Sequence, residues 1–359
     1  MAGNMRHKDI PGSCGSCSVY SCAFNAQKQL SGIALDQTAW LLDEYFPEFD
    51  IGNFQEKSCS DVFLLPWHGA LFSKKGYDWN LPKETHVQTH ITSLIYRSIV
   101  MRKGYGGGRR QEILEKFDRH FADRYAKRLP YNIRHLKIWQ NFLPFLYMNK
   151  ALGGRTYDIL AWRPPRHILH EILDKEYALW PQSKTLSDFR SQKQVVEAEK
   201  IAFEQAQQIY TPNAELAKLY PQKAILLPWS KPTDRVYKRG KKIVFLGPTV
   251  GRNAAYSVRE AIKKLELKLT VVGKNLEDEH FWDGVVTDNV SFDSNWLEEA
   301  SLILRPASTD FKPRLIMKAL SAGIPVIASP WCGLSGQEGL HFINSSDPHE
   351  LAEKIRRLL

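Results

Sequence analysis

The C-terminal third of the chain constrains the fold most strongly. Short, mainly apolar runs closed by glycine, proline or serine recur there, at Ile243–Gly247, Leu269–Gly273, Leu302–Pro306 and Pro325–Ser329. Each has the length of a strand and too little polar alternation for one face to meet water, so each reads as a strand covered on both faces. Helical patterns fill the intervals over Ser257–Leu265 and Leu315–Ala322, and another closes the chain at His349–Leu358. Strands alternating with helices give right-handed βαβ units and hence a parallel, doubly wound sheet.

A chain of 359 residues exceeds what one core usually fills, so a second sheet is expected upstream. Val195, Ala198, Ile201, Ala202 and Ala206 recur at helical spacing through Val195–Gln208. A strand at Ile209–Thr211, a helix from near Asn213 and a strand at Ala224–Leu227 follow. Further strand candidates are Ser18–Ala23, Val62–Pro66, Val87–Thr89 and Tyr157–Trp162, with helical patterns over Ala34–Tyr45, Ser93–Arg102 and Gln111–Lys127. The run Pro228-Trp229-Ser230-Lys231-Pro232 interrupts any regular element. The expected division is an N-terminal α/β domain over 1–232 and a C-terminal α/β domain over 233–359.

At 43% hydrophobic and 25% charged residues the chain is neither disordered nor fibrous. No run of about 18 apolar residues occurs, so no membrane-spanning helix is expected. Met1–Asp9 is polar and lacks the apolar core of a secretory signal. The expectation is a cytoplasmic protein, with the inner membrane face as a place it could visit. Cys14, Cys17 and Cys22, with Cys59 as a fourth thiol, resemble half of a metal site. No second close pair completes it, so reduced thiols and no metal are expected.

The net charge of +10 is unevenly placed, with twelve Lys/Arg against four Asp/Glu over residues 101–150. Tyr105, Phe117, Phe121, Tyr125, Tyr131 and Trp139 are interleaved there. The stretch 97–139 suits a polyanion such as nucleic acid, anionic lipid head groups or a phosphorylated substrate. A solvated basic helix face with its aromatics turned inward fits the same residues.

Open α/β sheets bind ligands beyond the carboxyl ends of their strands, and two such ends are suggestive. Phe245-Leu246-Gly247-Pro248-Thr249-Val250-Gly251-Arg252-Asn253 leads into a helix near Ser257. Gly247 and Gly251 permit close backbone approach, Arg252 offers a fork of donors, and the helix start adds N–H groups suited to a diphosphate. In Asp310-Phe311-Lys312-Pro313-Arg314-Leu315, Pro313 sits well at a first helical turn, and Lys312, Arg314 and Lys318 can face an anion.

The run Lys318-Ala-Leu-Ser-Ala-Gly-Ile-Pro-Val-Ile-Ala-Ser329 resembles the donor-site helix and strand of retaining GT-B glycosyltransferases of family 4, the group 1 glycosyltransferases. Leu246-Gly247-Pro248, Val272-Gly273-Lys274 and Glu338-Gly339-Leu340 agree in order, and Glu197–Asn213 resembles the end of the family's N-terminal domain. The resemblance covers about residues 155–359. It implies two Rossmann-like domains facing a cleft, a nucleotide-diphospho-sugar donor on the C-terminal one, and retaining, hexosyltransferase-like transfer with neither metal nor cofactor. The acceptor is left unnamed. By position, Arg252 would contact the diphosphate with Gly247 close by, and Lys274 would lie near the base. His90, with His86 as the second choice, would be the polar group near the sugar. Trp162-Arg163-Pro164-Pro165-Arg166-His167 would end a strand, its arginines meeting an acceptor phosphate or shaping a surface loop.

Two departures stand out. The family's two glutamates eight positions apart appear as Asp310 and Lys318, and its basic pair as Arg252-Asn253. An ammonium cannot accept the hydrogen bonds of a ribose. Either Lys318 and Arg314 reach phosphate instead, or the chain is a GT-B-like binding protein without turnover.

Overall fold

The computed structural model describes residues 37–50, 61–68, 77, 79–81, 86–103, 107–129, 133–230, 232, 240–343 and 347–359. The strand candidate Ser18–Ala23, the thiols Cys14, Cys17, Cys22 and Cys59, and the aromatics Tyr105 and Tyr131 lie outside them. The elements begin with β1 (Thr38–Leu41), β2 (Val62–Leu65), β3 (His86–Thr89), α1 (Ile91–Met101), α2 (Gly107–Ala126), β4 (His135–Trp139) and α3 (Leu143–Met148). Then come β5 (Thr156–Leu160), α4 (Arg166–Leu179), α5 (Lys193–Gln205), β6 (Ile209–Thr211), α6 (Ala214–Leu219) and β7 (Ala224–Leu226). The last third holds β8 (Lys242–Leu246), α7 (Ala255–Leu265), β9 (Leu269–Val272), β10 (Thr287–Val290) and β11 (Ala300–Arg305), followed by α8 (Arg314–Ser321), β12 (Val326–Ala328), β13 (Leu340–Phe342) and α9 (Pro348–Leu358).

These elements make two α/β units, each built on one parallel sheet. The first sheet runs β3-β2-β1-β4-β5-β6-β7 and the second β10-β9-β8-β11-β12-β13. Both start with the doubly wound order 3-2-1-4-5-6, which reverses beside the first strand, between β1 and β4 and between β8 and β11. Where the sequence suggests a single crossing near residue 232, the chain crosses repeatedly. Trp162–Arg190 and Pro212–Leu219 group with Pro228–Leu359, while Ser191–Thr211 and Tyr220–Leu227 return to the first unit.

The second sheet is covered on both faces because alternate residues of its strands point to opposite sides. Ile243 and Phe245 of β8 join Val258, Ile262 and Ile355 from α7 and α9. Val244 and Leu246 join Ile316 and Ala319 from α8. All four apolar runs of the C-terminal third are strands. Two further strands, β10 and β13, are half-exposed and partly polar, which hides them from an apolar-run reading.

In the first unit the helix expected over Ala34–Tyr45 is corrected. Thr38–Leu41 is strand β1, paired on one side with β2 and on the other with β4. Ala39, Trp40, Leu41 and Leu42 are all buried, and a continuous apolar run has neither helical nor strand periodicity. Strand β4 escaped the sequence because Lys137 interrupts it. That ammonium is buried beside Asp158 at 3.2 Å and lies over the rings of Trp40 and Tyr210. Burial raises the Asp158 carboxyl, but His135 and Lys137 outweigh this and hold it below the usual carboxylate range. No helix among the described residues is long and apolar enough to cross a membrane.

Candidate functional site

At the reversal of the second sheet, the chain leaves β8 through a cis Gly247–Pro248 bond and enters a 3-10 turn at Gly251–Asn253 before α7. Beyond β11 it continues through Pro306–Asp310. The two exits are tied together where Ser308 N–H donates to the Arg252 carbonyl at 2.8 Å. Arg305 braces them further. Its Nε donates to Asp310 at 3.0 Å, and its Nη1 donates to the carbonyls of Leu246 and Gly247, the latter at 2.8 Å.

Arg252 stands beside this brace. Its guanidinium lies over the Phe189 ring at 4.2 Å and makes no ion pair among the described residues. Burial and the neighbouring Arg305 push its pKa down to about 10 against the opposing pull of Asp310 and Asp188, so it stays charged at neutral pH. On the same two strand exits and the first turn of α7, Asn253 Oδ1, Ser257 Oγ, Ser308 Oγ and Thr309 Oγ1 have no hydrogen-bond partner among the described residues. Those four residues are no more than 2% exposed. A buried polar atom without a partner costs about 1–3 kcal/mol, so four on these linked segments mark where a polar ligand would be accommodated. No side chain caps the start of α7, whose N–H groups carry the positive end of the helix dipole.

The turn carrying Arg252 is anchored from behind by Glu277, which is 3% exposed. Its carboxylate accepts from Ser183 Oγ at 2.9 Å, Lys184 N–H at 3.0 Å, Gly251 N–H at 2.6 Å, Tyr256 OH at 3.0 Å and the Thr185 hydroxyl. These bonds fasten the segment after α4 to the Gly251 turn, and Trp180 stacks on Tyr256 at 5.3 Å to complete the attachment. They also explain why position 251 is glycine. A Cβ there would lie 2.5 Å from Leu186 Cγ and 2.6 Å from Ser183 Oγ. At Gly247 a Cβ would lie 2.3 Å from the Val272 carbonyl. The steric demand at both glycines comes from the protein itself, and the Gly251 N–H is already committed to Glu277 and Thr185.

The structure thus gathers Gly247, Gly251, Arg252 and, through Arg305, Asp310. Lys312 N–H donates to Asp310 Oδ1 at 3.3 Å, and Arg314 opens α8. Lys318 places its Nζ over the Trp296 ring at 5.8 Å, and no described contact joins it to Arg252. Lys274 has an exposed side chain and a carbonyl that accepts from Thr249 N–H at 2.9 Å. It is flanked in sequence by Gly273 and Asn275, which with Trp282 and Asn289 help to line a depression of about 660 Å³.

His90, in the first unit, ends β3 and starts α1. It is 4% exposed, rests on Tyr125 at 5.0 Å, and has no partner for Nε2 among the described residues. Burial pushes its pKa down to about 4, helped by Arg128, Arg124 and His120, so the ring is neutral at pH 7. Arg163 and Arg166 are buried at the entry to α4, not displayed on a surface loop. Among the described residues no group of three or more His, Cys, Asp or Glu is placed to hold a metal.

The sequence reading missed Arg305, Ser308, Thr309 and Glu277. Arg305 had a signal, being a charge at the end of an otherwise apolar strand. Ser308-Thr309 follows that strand directly, where ligands of open sheets bind. Glu277 had none, because two of its hydroxyl partners, Ser183 and Thr185, lie more than ninety positions away.

Comparison with solved structures finds distant likenesses. A sucrose-phosphate synthase from Thermosynechococcus elongatus aligns at 13% identity over 83% of this chain and 79% of that one, with a TM-score of 0.48. The Anabaena protein Alr3699/HepE in complex with UDP and glucose aligns at 13% identity over 89% of each chain, with a TM-score of 0.48. The lipopolysaccharide outer core galactosyltransferase WaaB, in its apo form, aligns at 12% identity over 90% of each, with a TM-score of 0.47. No curated protein matches. Residues 240–359 match the family model described as Glycosyl transferases group 1, so Arg252, Glu277, Arg305, Thr309 and Asp310 all stand inside the matched region.

Proposed function

We propose that this chain is a glycosyltransferase and that the second unit holds a nucleotide-diphospho-sugar at the reversal of its sheet. The observation that carries this reading is the Arg252 guanidinium. It makes no ion pair among the described residues, and the two strand exits it belongs to carry four buried polar atoms without partners among those residues, inside a domain matched by a group 1 glycosyltransferase family model. A diphosphate answers both needs at once, since its oxygens accept from guanidinium, hydroxyl and N–H donors.

The chemistry follows from the charge. As the bond between sugar and phosphate breaks, negative charge grows on the departing nucleoside diphosphate. Arg252, Arg305 and the start of α7 are fixed before the reaction and stabilise that charge as it develops. Asp310, bound to Arg305, occupies the place of the family's first glutamate and would face the sugar. Lys274, beside the depression at the end of β9, would lie toward the nucleoside. The family resemblance adds retention of configuration and transfer without metal, and His90 would serve as a neutral donor or acceptor to the sugar. The acceptor is an anionic molecule in this proposal, matched to the basic residues of the first unit.

The test is to incubate the protein with uridine, guanosine, adenosine and thymidine diphospho-sugars and measure released nucleoside diphosphate. We expect release from one donor class, abolished by Arg252→Ala in protein that stays folded. Absence of both binding and release across the whole panel would overturn the proposal.

A further inference from the structure

Helix α1 turns three large apolar residues outward. The residues it buries are Ser93 and Leu94, and it is held inward by Arg97, which donates to both Asp43 oxygens at 2.9 and 2.8 Å. Ile95, Tyr96 and Ile99 are 49%, 61% and 53% exposed. With Thr92, Arg102 and Lys103, also exposed, they recur at steps of three and four, which is one stripe along a helix. A surface helix of a globular domain shows the opposite arrangement, with its apolar stripe facing the core. Single exposed apolar side chains need no explanation, but three large ones on one stripe do.

The stripe runs into cations. Arg102 and Lys103 end α1, and α2 follows with the exposed Arg109, Arg110 and Lys116. The two helices are packed together where the Tyr96 ring meets the Phe117 ring at 5.4 Å. Arg102, Lys103, Arg110 and Lys116 have no ion-pair partner among the described residues. An apolar stripe bordered by uncompensated cations is the chemistry of a helix lying at a lipid interface. Tyr96 suits that depth, with an apolar ring and a hydroxyl that stays wet.

We propose that α1 and the start of α2 dock this unit on an anionic lipid surface. Ile95, Tyr96 and Ile99 enter the interface while Arg102, Lys103, Arg110 and Lys116 meet the head groups. A nucleic acid would engage the cations but give Ile95 and Ile99 nothing to do.

The test is flotation of the full chain with vesicles of phosphatidylcholine alone or mixed with phosphatidylglycerol. We expect it to float with the anionic vesicles and not with the neutral ones. Two cations near such a surface multiply partitioning by about thirtyfold, so Arg102→Gln with Lys103→Gln should lose that factor. Ile95→Ser with Ile99→Ser should lose about tenfold or more. Both pairs are exposed, so each variant should keep the wild-type melting temperature. Equal flotation with both vesicle types, or wild-type flotation of either variant, overturns the proposal. So does an isoleucine variant that melts lower yet floats unchanged, which would show the stripe covered by the chain itself. Retention on nucleic acid that falls with the cation variant, without any flotation, overturns it too.

Discussion

The two sheets share a strand order and differ in how the point of reversal is filled. In the first, Asp43 beyond β1 takes both terminal nitrogens of Arg97, and Tyr77 bonds to the same guanidinium. Trp79 donates to the Asp43 carbonyl at 3.1 Å and Tyr125 to the Leu42 carbonyl at 3.0 Å, closing the place with protein. In the second, among the described residues, Arg252 makes no ion pair, and Asn253, Ser257, Ser308 and Thr309 hold polar atoms without partners. The same topology thus yields a core in one unit and a candidate site in the other. Strand order opens the crevice, and whether its polar groups are satisfied by the chain decides what the crevice is for.

The largest effect expected from this contrast is in stability. Asp43→Ala leaves a buried guanidinium unpaired and should cost about 3–5 kcal/mol in denaturant unfolding, yet leave nucleotide affinity of surviving folded protein unchanged. A parallel loss of affinity would mean that the first reversal is not merely structural. Next comes pH. The folded-state pKa of His90, about 4, is below its ordinary 6.5, so the unfolded chain takes up the proton first as pH falls. Its contribution is whole above pH 6.5 and drains away toward pH 4, a change of about 3 kcal/mol that His90→Gln should remove from the stability profile. An unaltered profile in the variant would contradict the burial argument.

Glu277→Gln tests the anchor of the second site. An amide nitrogen would face N–H and O–H donors, costing about 2 kcal/mol. Because Gly251 and therefore Arg252 lose their fixed position, nucleotide affinity should fall about tenfold as well. Loss of stability with affinity intact would make Glu277 a packing residue alone. Smallest in stability is Thr309→Val, which removes a buried hydroxyl that has no partner among the described residues. The variant should be as stable as wild type or up to about 1 kcal/mol more stable, while binding nucleotide less tightly. A clear loss of stability would show that the hydroxyl is satisfied within the fold.

The same contrast explains what the sequence could and could not reveal. The second sheet was readable because its central strands are buried on both faces and its helices keep a 3.6-residue period. Arg252 and Asp310 stand out in the sequence as candidates because they follow strand ends. In the first unit β1 is a continuous apolar run with no period, and β4 carries a buried lysine whose partner, Asp158, lies on the next strand. Unlike the C-terminal runs, β1 has no closing glycine, proline or serine to tell a strand from a helix, and the lysine inside β4 breaks its apolar pattern. Arg305 and Glu277 were missed for a related reason, since their roles are set by partners that only folding brings near. Ile95, Tyr96 and Ile99 of α1 show the limit from the other side: periodicity locates the stripe but does not say that it faces outward.

The most direct measurement is calorimetric titration of the wild type, Asp43→Ala and Arg252→Ala with free nucleoside diphosphates. The account predicts one diphosphate that binds the first two alike and binds Arg252→Ala at least tenfold more weakly, with that variant as stable as the wild type. Equal binding by Arg252→Ala, or no binding of any nucleoside diphosphate by folded wild type, would contradict it.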